Sequence, residues 1–565
     1  MIISKKINFL LFLLLSSLIV ITVTVQASLQ HWSGEWDLDF WFIYNGSLMS
    51  SGIQQEWYDH PATTVLSLYS IFYKVYSLVD HSFIYKINEI MDSSDPDLVF
   101  QKLFFVTRIF DSINTILLIF FTFKISKILS SKDVYAYFSV LTLLVSTAFL
   151  MNISVLNSED WAILFFVISF YYLLKFFIYN NLTFLFLAGL FFCFSYFCKI
   201  NTLFLFFFVI LLIPIFCEIY SIKSNSSIQK RLEKNFSLLF VSYLVFLLLY
   251  FIVNIFVLDK FERFARNAGL DAVIILILNF IIMSFFLIIC KFNFLKFKTY
   301  FSIFVLFLSG FSFGIIVFLA IDILNIADLN PRIVVHLIKP FYKMLSFAIA
   351  PSGMETKMLG TALQGTSIDF INKVLLVMSK VFSNFRFDNF LFIGLCLIFI
   401  ISAFEDLKIK NAYSFLFKLI IFFSLVFNTL IFNFRWWVEY NIYIHVIYII
   451  LLSACFKNLP SKIIKFFCII TTIYILIFLP IKNSSLYLTD GIIPGTSGLH
   501  ESWKQLLTNR PSQLVNLCNN FGTDKVESWF IFERYARQFD ARFFSKICNL
   551  PKSRFSFNGE IYFLE

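Results

Sequence analysis

Residues 157–218 read NSEDWAILFFVISFYYLLKFFIYNNLTFLFLAGLFFCFSYFCKINTLFLFFFVILLIPIFCE. Three apolar runs, 159–178, 182–198 and 202–218, follow one another with only short polar turns between them. A run of about 20 apolar residues crosses the hydrocarbon core of a bilayer as a helix. The rest of the chain has the same character. Of its 565 residues 59% are hydrophobic and only 14% are charged, where soluble domains carry roughly 25% charged residues. The expected fold class is an all-α polytopic membrane protein. The 80 Phe residues read as compositional drift of the coding sequence. The net charge of +10 does not call for nucleic acid. Its lysines cluster between apolar runs, where they set orientation in the bilayer. Cys193, Cys198, Cys217, Cys290, Cys396 and Cys468 sit inside apolar runs and read as small buried hydrophobes, with no zinc-type spacing among them.

Working outward, further spans are expected at 100–123, 134–151, 236–258, 272–290, 300–324, 388–404, 411–432, 440–456 and 462–480. Residues 1–25 carry Lys5 and Lys6 before an apolar run that ends without a small-residue cleavage site, and read as an uncleaved anchor. The total is about 13 spans. With the N-terminus inside, the inside turns collect Lys124, Lys127 and Lys132, then Lys223, Lys230, Arg231 and Lys234. Lys291, Lys296, Lys298, Lys408, Lys410, Lys457, Lys462 and Lys465 follow the same rule. This topology predicts a bacterial inner-membrane protein with 26–99, 325–387 and 481–565 outside the cytoplasm. Residues 1–480 form the membrane domain, and 481–565, of soluble composition, a small extracytoplasmic domain. Residues 61–79 read as an interfacial amphipathic helix. Pro331, Pro340, Pro351, Gly353 and Gly360 break 325–387 into short surface segments.

Charges at the ends of membrane spans are costly unless paired or hydrated, so they mark function by default. The first outer loop gathers Asp37, Asp39, Asp59 and His60 with four Trp. Glu159 and Asp160 head a later span, Lys199 ends another, and Arg435 stands beside Trp436, Trp437 and Glu439. Carboxylates hold a divalent cation or accept a proton from a hydroxyl. Ammonium and guanidinium groups hold a phosphate. Each residue also has a structural use. Glu159 and Asp160 suit a helix N-terminus. Lys199 can snorkel, Arg435 fits an aromatic belt, Arg108 can pair with Asp111, and Asp59 can make a turn before Pro61. His336 and His445 fit hydrogen-bonded polar residues better than ligands.

The order of these pieces resembles the GT-C membrane glycosyltransferases, in the branch with protein O-mannosyltransferases, the lipid A aminoarabinose transferase and rhizobial lipopolysaccharide transferases. Those proteins have an acidic pair after the first span, then an aromatic-rich helix, then an acidic or aromatic residue followed by HPP or KPP and an amphipathic helix. Here Asp37-Leu38-Asp39 and Trp57-Tyr58-Asp59-His60-Pro61 stand in those places. NSEDWAILFFVISFYYLL, GLFFCFSYFCKINTLFLF and NFRWWVEYNIYIHV look like the family's later acidic, Lys-bearing and Arg-aromatic segments. The likeness covers 1–220 and 430–455. It departs in spacing the two acids by one residue and in placing Ala62 where a second Pro stands.

The resemblance implies a sugar carried on a polyprenyl phosphate and transferred to a glycan, glycolipid or protein hydroxyl outside the cytoplasm. Asp37 would be the catalytic base. Lys199, Arg435 and His60 would hold the donor phosphate. Asp39, Asp59, Asp160 and Glu159 would hold a divalent cation or the acceptor. No nucleotide cofactor is expected, and no Gly-rich phosphate loop is present. The competing readings are a secondary transporter or flippase and a glycan-binding scaffold. A transporter places charges mid-membrane and often repeats internally; no repeat is evident, and no charge is expected deep among the later spans.

In the outer tail, Cys518 and Cys548 are placed to close a loop of about 30 residues with a disulfide, worth roughly 3 kcal/mol in an oxidising compartment. Peptide mapping without reductant is expected to show the linked pair. Free thiols at both positions would contradict it.

Overall fold

The computed structural model describes residues 2–28, 41–55, 62–144, 156–220, 234–256, 268–324, 389–433, 441–474, 554–557 and 560–563, with Leu232 and four positions between 146 and 153. Each expected span overlaps a described helix. The first is α1 (Ile2–Ser28), followed by the short α2 (Trp41–Ser50), α3 (Thr63–Val79) and α4 (Ile87–Asp92). Next come α5 (Pro96–Ser130), α6 (Asp133–Leu144), α7 (Ser158–Tyr179), α8 (Leu182–Cys198) and α9 (Leu203–Ile219). The later helices are α10 (Phe236–Phe256), α11 (Ala268–Ile289), α12 (Phe294–Ile323), α13 (Asn389–Lys408), α14 (Ala412–Asn433), α15 (Asn441–Phe456) and α16 (Ser461–Ile473). In the tail, β1 (Arg554–Phe557) pairs antiparallel with β2 (Glu560–Phe563). Six helices among the described residues are long and apolar enough to cross a membrane. Within the 134–151 segment the described helix is Asp133–Leu144.

Asparagine sets several helix ends. Asn157 Oδ1 accepts the Asp160 N–H at the start of α7. Asn180, at φ 53°, ends α7 in the left-handed region that Asn tolerates. Asn181 then accepts the Thr183 N–H to start α8. The two helices turn back on each other within this Asn-Asn pair. Two hydroxyls hold them together: Ser169 Oγ donates to the Ala188 carbonyl at 2.7 Å, and Ser195 Oγ to the Ala162 carbonyl at 2.6 Å.

On its other side α8 meets α12 through glycine. A Cβ on Gly189 would lie 1.9 Å from the Phe307 carbonyl oxygen, and one on Gly310 would lie 2.1 Å from that of Phe186. Gly314 faces the Cys193 side chain, where a Cβ would approach to 2.7 Å. Gly310 and Gly314 have the small-xxx-small spacing that lets membrane helices touch backbone to backbone. This contact fixes the height of α8, whose last residue precedes Lys199.

A helix, α3, forms where the amphipathic helix is expected, and its N-terminal part is buried in the protein. Thr63–Ser67, Tyr69, Ser70 and Tyr73 are buried, and only its far end, with Leu78 and Val79, is exposed. It packs on α2 and α8, and α2 itself is buried from Phe42 to Ser50.

Gly310→Val is expected to force α8 and α12 apart and to lower stability by about 3 kcal/mol, seen as a fall in Tm of the purified protein. Ser309→Leu, on the exposed side of the same turn, is expected to leave Tm unchanged. Equal Tm values for both variants would contradict the close contact.

Candidate active site

Lys199 is the residue that follows α8, in extended backbone before the tight turn Ile200–Thr202. A lysine in that position reaches solvent if it can. Here it is buried, and its Nζ lies 2.5 Å from Glu159 Oε1. Glu159 stands in the first turn of α7, where the helix dipole also favours a carboxylate. Its other oxygen accepts the Ser158 hydroxyl at 3.0 Å. The snorkelling reading of Lys199 is thereby corrected. The N-cap of α7 is Asn157 rather than either acid. Asp160, buried beside Glu159, takes its place in the same turn.

The start of α3 reaches this pair. Thr64 Oγ1 donates to the Phe194 carbonyl at 2.9 Å, in the last turn of α8 before Lys199. Ala62 precedes the helix at φ 39°, an unfavourable region for alanine, and offers no side-chain cap. The N-terminal end of a helix favours an anion. The buried ammonium and this helix end therefore sit on the same side of the bundle.

A second polar group joins it through α7. Asp111, buried on α5, accepts the Trp161 indole N–H at 2.6 Å and the Tyr69 hydroxyl at 2.9 Å on one oxygen. Tyr73 and Thr107 exchange a hydrogen bond at 2.8 Å one turn away. Arg108 is buried with its guanidinium 4.8 Å from the centre of the Phe104 ring. The Asp111 carboxylate is held by two aromatic donors, and it fastens α3 and α7 to α5. Sequence reading missed Tyr69, Tyr73 and Trp161; the signal was a carboxylate within an apolar helix, which requires donors from somewhere.

Asp37, Asp39, Asp59, His60 and Arg435 lie outside the described residues, as do Cys518 and Cys548. Of the eight sequence-predicted site residues the structure brings together three, Glu159, Asp160 and Lys199. Among the described residues no three His, Cys, Asp or Glu groups converge in a way that would hold a metal ion. His445 is buried on α15.

A different ionic group joins the later helices where α13 ends and α14 begins. Lys418 Nζ on α14 is 2.6 Å from Asp406 Oδ2 on α13 and donates to Ser402 Oγ at 2.6 Å. Asn458 Nδ2 donates to Asp406 Oδ1 at 2.5 Å. Glu218 at the far end of α9 pairs with Lys296 of α12 at 2.6 Å and accepts the Tyr300 hydroxyl. Since α9 begins just after Lys199 and runs 17 residues, roughly 25 Å separates Glu218 from the Lys199 end.

No protein-family model, curated protein or solved structure matches the chain.

A buried ion pair costs most when one partner is removed and little when both are replaced by apolar groups. Lys199→Met is expected to destabilise by about 3 kcal/mol or more, because Glu159 loses its counter-charge. The double variant Lys199→Met with Glu159→Leu is expected to recover most of that loss. Thermal unfolding of the three proteins checks it, and a neutral Lys199→Met would contradict burial of the pair.

Proposed function

We propose that the chain is a GT-C-type glycosyltransferase of about 13 membrane spans, moving a sugar from a polyprenyl phosphate to an acceptor hydroxyl on the outer face of a bacterial inner membrane. The observation that carries this reading is the buried Lys199 ammonium beside the start of α3. Cation and helix end together favour a phosphate in a place walled by apolar helices. Phosphate and lipid tail are the two parts of the donor that such surroundings suit.

The chemistry follows from the residue types. Asp37 accepts the proton of the acceptor hydroxyl as the oxygen attacks the sugar's anomeric carbon. The bond from that carbon to the phosphate oxygen breaks, and the electron pair leaves with the phosphate. Lys199, with Arg435 and His60, stabilises the charge that builds on the departing group. Glu159 holds the Lys199 ammonium in place until the donor arrives. Asp39, Asp59 and Asp160 are left for the acceptor or for a divalent cation, which would supply further charge stabilisation when bound.

The second reading, a secondary transporter or flippase, gains from the Asp406–Lys418 pair, since buried charges among later helices are common in transporters. Those groups are bonded on every side by Ser402, Asn458 and each other, which fits a clamp between α13, α14 and the turn after α15.

In proteoliposomes supplied with lipid-linked sugar and acceptor, the wild type is expected to transfer sugar, and Asp37→Asn to lose at least a hundredfold in rate, the typical scale for removing a general base. Undiminished transfer by the variant would remove Asp37 from the mechanism. Solute uptake without transfer of any sugar would favour the transporter.

A further inference from the structure

We propose that Asn114 reads the sugar of the lipid-linked donor, its amide hydrogen-bonding hydroxyls of the ring; this rests on the glycosyltransferase reading. Asn114 lies on α5, three residues beyond Asp111 and seven beyond Thr107. At helical spacing these three positions share one side. The first two are the positions that receive Tyr69, Trp161 and Tyr73. Asn114 therefore continues the same polar row, one turn deeper than Asp111.

Its environment is unlike that of its neighbours in the row. Asn114 is 0% exposed, and neither its Nδ2 nor its Oδ1 has a hydrogen-bond partner among the described residues. Other helical asparagines here settle the matter within their own helix. Asn45 donates to the Trp41 carbonyl, Asn279 to that of Ile275 and Asn428 to that of Ser424. The Asn114 amide does not turn back in this way. An unbonded buried amide is destabilising, and a leucine of similar size would fill the place without that cost. A position that keeps the amide retains two donors and an acceptor for something else.

The surroundings narrow what that is. A polyprenyl tail has no group for an amide to bond. A sugar ring has hydroxyls for it and apolar faces besides. Phe110, one turn before Asn114, stacks on Phe72 at 4.0 Å and on Trp161 at 5.9 Å between centroids, so packed aromatic rings lie beside the amide row. The first half of α3 joins this row to the Lys199 site: Thr64 bonds the Phe194 carbonyl of α8, and Tyr69, five residues on, bonds Asp111.

The test uses the purified full-length protein and defined lipids: farnesyl phosphate, and the same lipid carrying glucose, mannose or galactose. Binding is measured by thermophoresis, with Tm recorded alongside. Wild type is expected to bind one of the glycosylated lipids at least tenfold more tightly than bare farnesyl phosphate. Asn114→Leu is expected to bind the bare lipid as wild type does, to lose the tenfold preference, and to unfold at the same or a higher temperature. Asn114→Ala is expected to lose the preference as well. A variant that keeps the preference overturns the inference alone, as does one that loses both lipids equally with a lowered Tm. A wild type that binds bare and glycosylated lipid alike also overturns it while leaving Lys199 as a phosphate site. A wild type that binds neither overturns the inference and the glycosyltransferase reading together.

Discussion

A charge held among apolar helices has to be answered by another charge or by hydrogen bonds, and the Glu159–Lys199 pair is where this constraint organises the molecule. The ammonium follows α8 and the carboxylate heads α7, so the two antiparallel helices must end level with each other. Their Asn180–Asn181 turn and the Ser169 and Ser195 hydroxyls set that level from within the hairpin. The glycine contact with α12 sets it from outside. The start of α3 is then placed by Thr64 on the backbone of α8. Asp111 completes the arrangement by fastening α3 and α7 to α5 through one carboxylate oxygen.

Charge satisfaction also explains the opposite side of the bundle. Glu218 with Lys296 and Tyr300, and Asp406 with Lys418 and Asn458, tie helices at the ends remote from Lys199. Both Asp406 oxygens and the Lys418 ammonium are bonded to side chains of neighbouring elements. On the Lys199 side, Asn114 lies buried with no such partner among the described residues, a few residues from the aromatic donors around Asp111. A clamp needs every group satisfied, whereas a binding site keeps hydrogen-bonding capacity in reserve for what it binds.

The helices were legible in the sequence because apolar runs of span length have few other uses. The runs 159–178, 182–198 and 202–218 recur almost residue for residue as α7, α8 and α9. The composition of WFIYNGSLMS, which mixes Asn, Gly and Ser into ten residues, gave no span signal for the short α2; only the resemblance implied an aromatic-rich helix there. Candidate charges could be named, but their partners could not. Glu159 finds Lys199 40 positions away, and Asp111 finds Tyr69 and Trp161 from two different helices. Sequence spacing carries no record of such meetings; they follow from how the helices stack. The Gly310–Gly314 spacing went unread in the sequence, and it marks the contact on which the height of Lys199 depends.

The central claim is that the Lys199 end of the bundle receives a lipid phosphate. An experimental structure of the protein with bound polyprenyl phosphate tests it directly. The account predicts phosphate density within hydrogen-bonding distance of Lys199 Nζ, beside the first turn of α3, with the Glu159 carboxylate displaced or shared. Phosphate density at the opposite end, near Lys296 or Lys418, would contradict it.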